Sequence, residues 1–292
     1  MTALVMFPGQ GSQRPGMCAT ALRDRHDLVV LASEIAGFDI SEASRSADLL
    51  RKTQYVQPTV FVAEYVAYLR NPACGEAVLA GHSLGELAAL CAAGAVDFES
   101  GVGLAAERGR LMASVPAGGM VAVMGVSPSA VETILSEELT ELDVANYNGD
   151  RQVVISGPHA ALDVLCERVD ELGGLAVGLN VDGAFHSRSM RAAAREFTDV
   201  LARLRLAAPS IPVYSNVTAE LFPEDSAAIA DLMVRQLFSP VRWTEILVRA
   251  MEAGVERFVE VGPGTVLTGI AERMIAARGW SAGVAVGEAD AA

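Results

Sequence analysis

The chain has 292 residues, 51% of them hydrophobic and 20% charged, which supports one large or two coupled globular domains and excludes a disordered chain. Its formal net charge of −14 excludes the basic surface of a general nucleic-acid-binding protein. We expect a cytoplasmic protein with reduced thiols and no membrane contact, because the four cysteines lack metal-ligand spacing and neither a signal peptide nor an apolar run of membrane-spanning length is evident.

The first part of the chain alternates short apolar runs with longer helical patterns. The run ALVMF is stopped by Pro8, which is typical of a buried strand, and Asp97 is a suitable N-cap for the helix that follows it. The pattern predicts strands at 3–7 and 78–81 and helices at 17–35, 57–69, 84–93 and 98–114.

The pattern changes near Gly118, where a strand, a helix, two strands, a helix and a strand follow within about 65 residues. Ser127 and Pro128 mark the start of the first of these helices. This order is typical of a ferredoxin-like unit. We therefore expect an α/β fold in which a ferredoxin-like small subdomain, 118–183, is inserted into an α/β-hydrolase-like large subdomain, 1–117 and 184–292.

After the insertion the chain returns to helices and short strands. The patterns predict helices at 190–206, at 229–238, from Trp243 onwards and after the EVGPG loop, with strands at IPVYSNV and RFVEV. The tail beyond Gly283 is rich in alanine and glycine, and we expect it to be loose.

The segment GHSLG, 81–85, lies between the predicted strand and the predicted helix of a nucleophile elbow. In that arrangement a sharp turn exposes the serine hydroxyl, and the N–H of the next residue points toward a developing oxyanion. The sequence therefore predicts Ser83 as a nucleophile and the N–H of Leu84 as an oxyanion donor.

A nucleophilic serine needs a base, and the chain has four histidines. His26 lies in a charged patch, His82 adjoins the serine and should point away from it, and His159 reads as the start of a helix in the insertion. We favour His186, which follows the return from the insertion to the large subdomain. Asp182 is the nearest acid but is poorly placed to orient it, so a backbone carbonyl is the alternative acceptor.

Seven motifs occur in order over almost the whole chain, and together they closely resemble the malonyl-CoA:acyl-carrier-protein transacylase family, in particular the stand-alone acyltransferases that serve modular polyketide synthases in trans. The motifs are FPGQGSQ (7–13), GHSLGE (81–86), ERGRLM (107–112), QVVISG (152–157), AFHSR (184–188), SPVRW (239–243) and EVGPG (260–264).

The resemblance implies roles for nine residues, which it places at the nucleophile, the base, the oxyanion hole and the acyl pocket. These are Ser83 as nucleophile, His186 as base, the backbone carbonyl of Gln236 as the acceptor that holds the imidazole, Gln10 and Leu84 as oxyanion donors, Arg108 as the partner of the malonyl carboxylate, and Met112, Gln152 and Phe185 as pocket residues.

The implied reaction transfers malonyl from malonyl-CoA through a Ser83 ester to the phosphopantetheine thiol of an acyl carrier protein, with no metal or redox cofactor. The family usually has a histidine where this chain has Gly183, so we expect extra space beside Phe185 and looser malonyl selectivity. Carrier proteins are acidic, as is this chain, so docking requires a local basic patch. Four arginines near the site in sequence are candidates: Arg151, Arg188, Arg191 and Arg242.

Other readings of the same residues stay open at this point. A thioesterase or acyl hydrolase would use the same serine and histidine but has no need of Arg108. A shuttle between two carrier proteins, or a subunit of a malonate-processing complex, would keep the transfer chemistry with other partners. A non-catalytic interaction protein is disfavoured, because the reactive residues are all present.

Overall fold

The computed structural model describes residues 2–70, 72, 76–115, 118–181 and 183–287, which form two sheets and the helices around them. The strands are β1 (Thr2–Phe7), β2 (Ala77–Gly81), β3 (Gly119–Met124), β4 (Asp143–Gly149), β5 (Gln152–Gly157), β6 (Leu175–Gly178), β7 (Val213–Tyr214), β8 (Val255–Glu260) and β9 (Gly283–Val286).

The helices surround both sheets and bear most of the core residues. They are α1 (Ala19–Asp24), α2 (His26–Ala36), α3 (Ile40–Arg45), α4 (Thr53–Arg70), α5 (Leu84–Ala92), α6 (Phe98–Ala113), α7 (Pro128–Glu137), α8 (His159–Glu171), α9 (Arg191–Leu201), α10 (Ser226–Gln236), α11 (Trp243–Glu252) and α12 (Val266–Arg278). Among the helices described, none is long and apolar enough to cross a membrane.

The larger sheet is parallel, with the strand order β7-β2-β1-β8-β9. Alternate residues of β1 enter different cores: Val5 and Phe7 pack with α4, α5 and α6, whereas Leu4 and Met6 pack with α11 and α12. Because helices cover both faces of the parallel sheet, its central strands β1 and β2 consist almost entirely of apolar residues. The α/β-hydrolase-like part of the predicted fold is confirmed in this mixed α/β arrangement.

The smaller sheet is antiparallel, with the order β4-β5-β3-β6, and helices α7 and α8 cover one face. Its strands and helices follow one another as β-α-β-β-α-β, which confirms the ferredoxin-like prediction. Ser127 caps α7 by accepting a hydrogen bond from the N–H of Ala130, and Asp97 caps α6 in the same way, as predicted.

Backbone hydrogen bonds join the smaller sheet to the segment between α10 and α11. The N–H of Val241 donates to the carbonyl of Ala145 at 2.8 Å, and the N–H of Tyr147 donates to the carbonyl of Val241 at 2.9 Å. Val241 thus pairs with β4 as a single bridge residue. This pairing fixes the smaller sheet against the start of α11, where Thr244 also donates to the carbonyl of Tyr147.

Three elements differ from the prediction. The helix predicted at 17–35 is two helices, because Arg25 leaves the helical region with a φ of −141°. The short helix α3 was not predicted, and the tail predicted to be loose forms the edge strand β9 over Gly283–Val286, paired with β8. Residues 288–292 of that tail lie outside the described residues.

Candidate active site

Ser83 lies in a strained turn between β2 and α5. Its backbone has φ 55° and ψ −109°, and α5 begins at the next residue, Leu84, which is fully buried. The turn packs so closely that a Cβ on Gly85 would lie 2.1 Å from the carbonyl oxygen of Phe7. The predicted elbow is present, and Gly85 is required for it.

The nucleophile and the base are in hydrogen-bond contact. The distance from Ser83 Oγ to His186 Nε2 is 2.7 Å, and His186 Nδ1 lies 2.8 Å from the backbone carbonyl oxygen of Gln236. Because a carbonyl only accepts, Nδ1 must carry the proton, which leaves the Nε2 lone pair for the serine hydroxyl. Burial and the neighbouring charge of Arg108 lower the pKa of His186 to about 3, so the ring is neutral near pH 7.

Arg108 is a buried cation beside the nucleophile. It is 3% exposed, and its Nη2 donates to Ser83 Oγ at 3.2 Å and to Gln236 Oε1 at 2.9 Å. Its Nη1 donates to Gln57 Oε1 at 2.8 Å, and Gln57 Nε2 donates in turn to the sulfur of Met112. Burial lowers the pKa of Arg108 to about 10, which still leaves the group charged near pH 7.

A cavity of about 70 Å³ opens onto these groups between the two sheets. It is lined by Gln10, Gln57, His82, Ser83, Arg108, Met112, Met120, Asn146, Leu179, Val181, Phe185 and His186. Of the residues predicted for the oxyanion hole and pocket, Gln10, Met112 and Phe185 are therefore brought together with the reactive groups. The loop of Gln10 touches the elbow, since a Cβ on Gly9 would lie 2.4 Å from the carbonyl oxygen of His82.

Gln152 does not take its predicted place. Its side chain accepts a hydrogen bond from Arg273 Nη2 at 3.1 Å and lines a separate cavity with residues of α12. The reason is its position in the sheet: Gln152 is the first residue of β5, directly after the turn from β4, whereas Asn146 lies further back on β4 and reaches the cavity of Ser83.

The space expected beside Gly183 is also filled. A Cβ on Gly183 would lie 2.6 Å from Cε1 of Phe185, so the aromatic ring of Phe185 occupies the place where a larger side chain would stand. The expectation of extra room is wrong for this reason. The absence of a side chain at Gly183 leaves room for one edge of the Phe185 ring, which is formed by Cδ1, Cε1 and Cζ.

The remaining histidines lie as predicted. His26 is exposed, and His159 is the first residue of α8. His82 points away from the nucleophile: its Nε2 lies 2.8 Å from Asn148 Oδ1 and its ring packs against Trp243. Asp182, the acid considered for the base, lies outside the described residues.

Sequence reasoning missed several buried polar residues at the site, among them Gln57 and Asn146 in the cavity wall and Asn216 and Glu86 behind the nucleophile. Asn216 accepts the N–H of Ser83 on its Oδ1 at 2.8 Å and donates from Nδ2 to the carbonyl of Gly81 at 2.7 Å. Glu86, on α5, accepts from Gln236 Nε2 at 2.9 Å. Glu86 belongs to the GHSLGE motif, which was the available signal, whereas no local pattern marks Asn216.

The four arginines predicted as a docking patch differ in whether a carboxylate pairs with their charge. Arg188 pairs with Asp143 at 2.7 Å, and Arg242 pairs with Glu245 at 2.7 Å, so carboxylates offset both charges. The guanidinium of Arg191 lies over the ring of Phe238, 5.1 Å from its centre, and Arg151 donates to the carbonyl of Gly125.

Comparison with known proteins agrees with this geometry. The family model for the acyl transferase domain matches residues 5–289. The polyketide biosynthesis protein ThaF of Burkholderia thailandensis is 41% identical over 96% of this chain, although the chain spans only 25% of ThaF. The polyketide biosynthesis malonyl CoA-acyl carrier protein transacylase PksC of Bacillus subtilis is 40% identical over 92% of this chain and 96% of PksC.

A solved acyl-carrier-protein S-malonyltransferase from Burkholderia pseudomallei has a TM-score of 0.90 and 34% identity, and the match covers 99% of this chain and 97% of that one. The likeness thus extends over both sheets as well as the sequence. From the family model, the full-length identity to PksC and the shared architecture, the chain belongs to the acyl transferase domain family.

Proposed function

We propose that the chain transfers a malonyl group from malonyl-CoA, through an ester on Ser83, to the phosphopantetheine thiol of an acyl carrier protein. The observation that carries this proposal is the buried guanidinium of Arg108, 3.2 Å from Ser83 Oγ. A guanidinium fork binds a carboxylate through two parallel hydrogen bonds. It therefore selects an acyl group that ends in a free carboxylate.

In the first half-reaction His186 Nε2 takes the proton of Ser83 Oγ as the oxygen attacks the thioester carbonyl. The backbone N–H groups of Leu84 and Gln10 stabilise the oxyanion, and coenzyme A leaves as its thiol after taking the proton from His186. The depressed pKa of His186 keeps the ring neutral, so it is able to accept a proton from the serine at neutral pH.

In the second half-reaction the carrier thiol gives its proton to His186 and attacks the malonyl ester, and Ser83 is released when the proton returns to its oxygen. The acyl carrier protein named in the description of PksC supports this acceptor, and the polyketide relatives support a role in trans to a synthase. Both half-reactions are carried by side chains and backbone groups, so we propose that no cofactor is required beyond the two thiol carriers.

Intact-protein mass spectrometry after brief mixing with malonyl-CoA or acetyl-CoA tests the proposal. We expect a malonyl adduct on the wild type, no adduct on Ser83→Ala, and loss of the malonyl adduct with a gain in acetyl adduct on Arg108→Ala. Arg110→Ala is the matched control, because Arg110 lies on the same helix but pairs with Glu107 at the surface. Free malonate without adduct or transfer would instead identify a hydrolase.

A further inference from the structure

Glu86 is a buried carboxylate beside the nucleophile that has no task in the reaction as written. It lies on α5, three residues after Ser83, and is 1% exposed. Its Oε1 accepts a hydrogen bond from Gln236 Nε2 at 2.9 Å, and its Oε2 accepts one from the backbone N–H of Asn216. Both oxygens accept from N–H groups, which suits an ionised carboxylate and does not suit an amide.

Gln236 connects Glu86 to the base and to the carboxylate-binding group. Its backbone carbonyl accepts from His186 Nδ1, its Oε1 accepts from Arg108, and its Nε2 also donates to the carbonyl of Ser83 at 2.8 Å. In its ionised form Glu86 only accepts hydrogen bonds, so it draws the amide nitrogen of Gln236 toward itself and leaves the amide oxygen for the guanidinium of Arg108. A reversed amide would place oxygen against carboxylate and NH₂ against guanidinium.

Asn216 connects Glu86 to the nucleophile elbow. The side chain of Asn216 binds the N–H of Ser83 and the carbonyl of Gly81, so it spans the strained turn from both sides. The backbone N–H of the same residue is held by Glu86. A residue with a φ of 55° keeps that conformation only when its surroundings enforce it.

We propose that Glu86 is a positioning residue of the transfer reaction, whose carboxylate holds Gln236 and Asn216 and through them keeps the nucleophile, the base and Arg108 in reacting geometry. This inference rests on the proposed function. Glu86 does not contact the reacting atoms itself. It acts through Gln236, which hydrogen-bonds to His186 Nδ1 and Arg108, and through Asn216, which holds the backbone N–H of Ser83.

The protonation of Glu86 provides a readout that a purely structural role lacks. Burial raises its pKa to about 8, while the N–H of Asn216, the amide of Gln236 and the charge of Arg108 act in the opposite direction. Among the described residues, Arg108 on α6 is the charged group that faces Glu86, and α10 contributes the neutral amide of Gln236. The carboxylate therefore forms as the pH rises toward 8, and we expect acylation to quicken with it.

The experiment measures single-turnover acylation by malonyl-CoA and acetyl-CoA between about pH 6 and 9 for wild type, Glu86→Gln and Glu99→Gln. Glu99 is exposed on α6 and provides the matched control. We expect Glu86→Gln to slow malonyl transfer about tenfold at saturating donor and about pH 9, where the wild-type side chain is ionised, to reduce the preference for malonyl over acetyl there, and to abolish the rise in rate near pH 8. Glu99→Gln should behave as wild type.

The inference is overturned if Glu86→Gln acylates at wild-type rates with an unchanged pH profile. It is also overturned if the variant loses the same fraction of its rate with malonyl-CoA and acetyl-CoA and keeps the rise near pH 8. If Glu86→Gln does not fold, judged by circular dichroism, Glu86→Asp replaces it: this variant should keep the pH-dependent rise and the malonyl preference at a lower rate, and loss of both overturns the inference. A wild type that forms no malonyl adduct contradicts the proposed function itself, before any variant is compared.

Discussion

His186 combines two properties that favour a base: a neutral ring and a fixed tautomer. Burial is the larger cause of its lowered pKa and the charge of Arg108 the second, so protonation of the ring requires a pH near 3 rather than the ordinary 6.5. We expect the single-turnover acylation rate of the wild type to show no inflection near pH 6.5. The one change in rate expected near neutral pH is the rise near pH 8, which we assign to Glu86.

Arg108→Ala, assayed with acetyl-CoA, checks this explanation. Removing the guanidinium charge should raise the pKa of His186, so the loss of rate on acidification should begin at a higher pH than in the wild type. If the acylation rate of the wild type shows a further drop as the pH falls through 6.5, His186 titrates like an ordinary histidine, and the prediction of a lowered pKa is contradicted.

Gly183 controls the position of the Phe185 ring. A methyl group at this position would lie 2.6 Å from the ring, and Phe185 also lines the cavity. We expect Gly183→Ala to push the ring into the cavity, to slow malonyl acylation about tenfold and to slow methylmalonyl acylation further. Gly178→Ala is the control, because a Cβ there meets no atom within 4 Å. Faster methylmalonyl acylation in Gly183→Ala would contradict this expectation.

At the level of residues, the sequence predicted those site residues that a short local motif identifies. Ser83, Leu84 and His186 follow from the turn and from the small number of histidines. Gln152 was misplaced because a strand motif does not reveal which end of the strand reaches a cavity. Asn216 could not be predicted, since it meets the elbow from 133 residues away in the chain.

Among the elements, α12 has an unusual N-terminus. The carboxylate of Glu260, at the end of β8, accepts the N–H groups of Leu267 and Thr268 and satisfies two donors of the first turn. Glu64 on α4 is fully buried nearby, and in the described part of the chain neither of its carboxylate oxygens has a hydrogen-bond partner. Burial and the charge of Glu260 raise the pKa of Glu64 well above 4.5.

A raised pKa means that the folded state binds this proton more tightly than the unfolded state. The contribution of Glu64 to stability is therefore complete below pH 4.5 and is lost as the pH rises through the folded-state pKa. We expect Glu64→Met to increase the free energy of unfolding by about 1–3 kcal/mol, with the larger gain at higher pH. Thermal unfolding across pH measures this, and a Glu64→Met curve that stays parallel to the wild type, or lies below it, would contradict it. The exposed Glu99→Met is the control.

Most helices and strands were predicted correctly because their hydrophobic periodicity is local. The elements that were predicted wrongly depend on contacts with distant parts of the chain. The tail Gly283–Val286 is a strand only because β8 offers it an open edge, and that edge is created by residues far away in the chain. The break at Arg25 interrupts a helical pattern that contains neither proline nor glycine at that point. Tertiary contacts overrule local propensity in such places.

For the whole molecule, the net charge of −14 makes the approach of an acidic carrier protein unfavourable unless positive charge is concentrated where it docks. Two of the four candidate arginines are paired with carboxylates, so Arg191 is a better candidate than Arg188 or Arg242. We expect Arg191→Glu to slow malonyl transfer from Ser83 to the carrier severalfold while self-acylation stays unchanged.

Arg168→Glu is the control for this charge reversal. Arg168 lies on α8, which packs against the smaller sheet, and it forms ion pairs with Glu138 and Glu171. The two half-reactions are separated by quenching before and after the carrier is added. An equal loss in both half-reactions would show that Arg191 supports the fold or the site instead of docking.

Ser83 and His186 share a backbone feature: both have a positive φ, 55° and 56°, although neither is glycine. The unfolded chain rarely adopts these angles, so tertiary contacts alone maintain the two reactive groups. Mild denaturant should therefore abolish acylation at concentrations where the far-ultraviolet signal of the helices is still that of the native protein. Peptides excised around either residue should have no reactivity toward thioesters, because the reactive geometry is a property of the assembled chain.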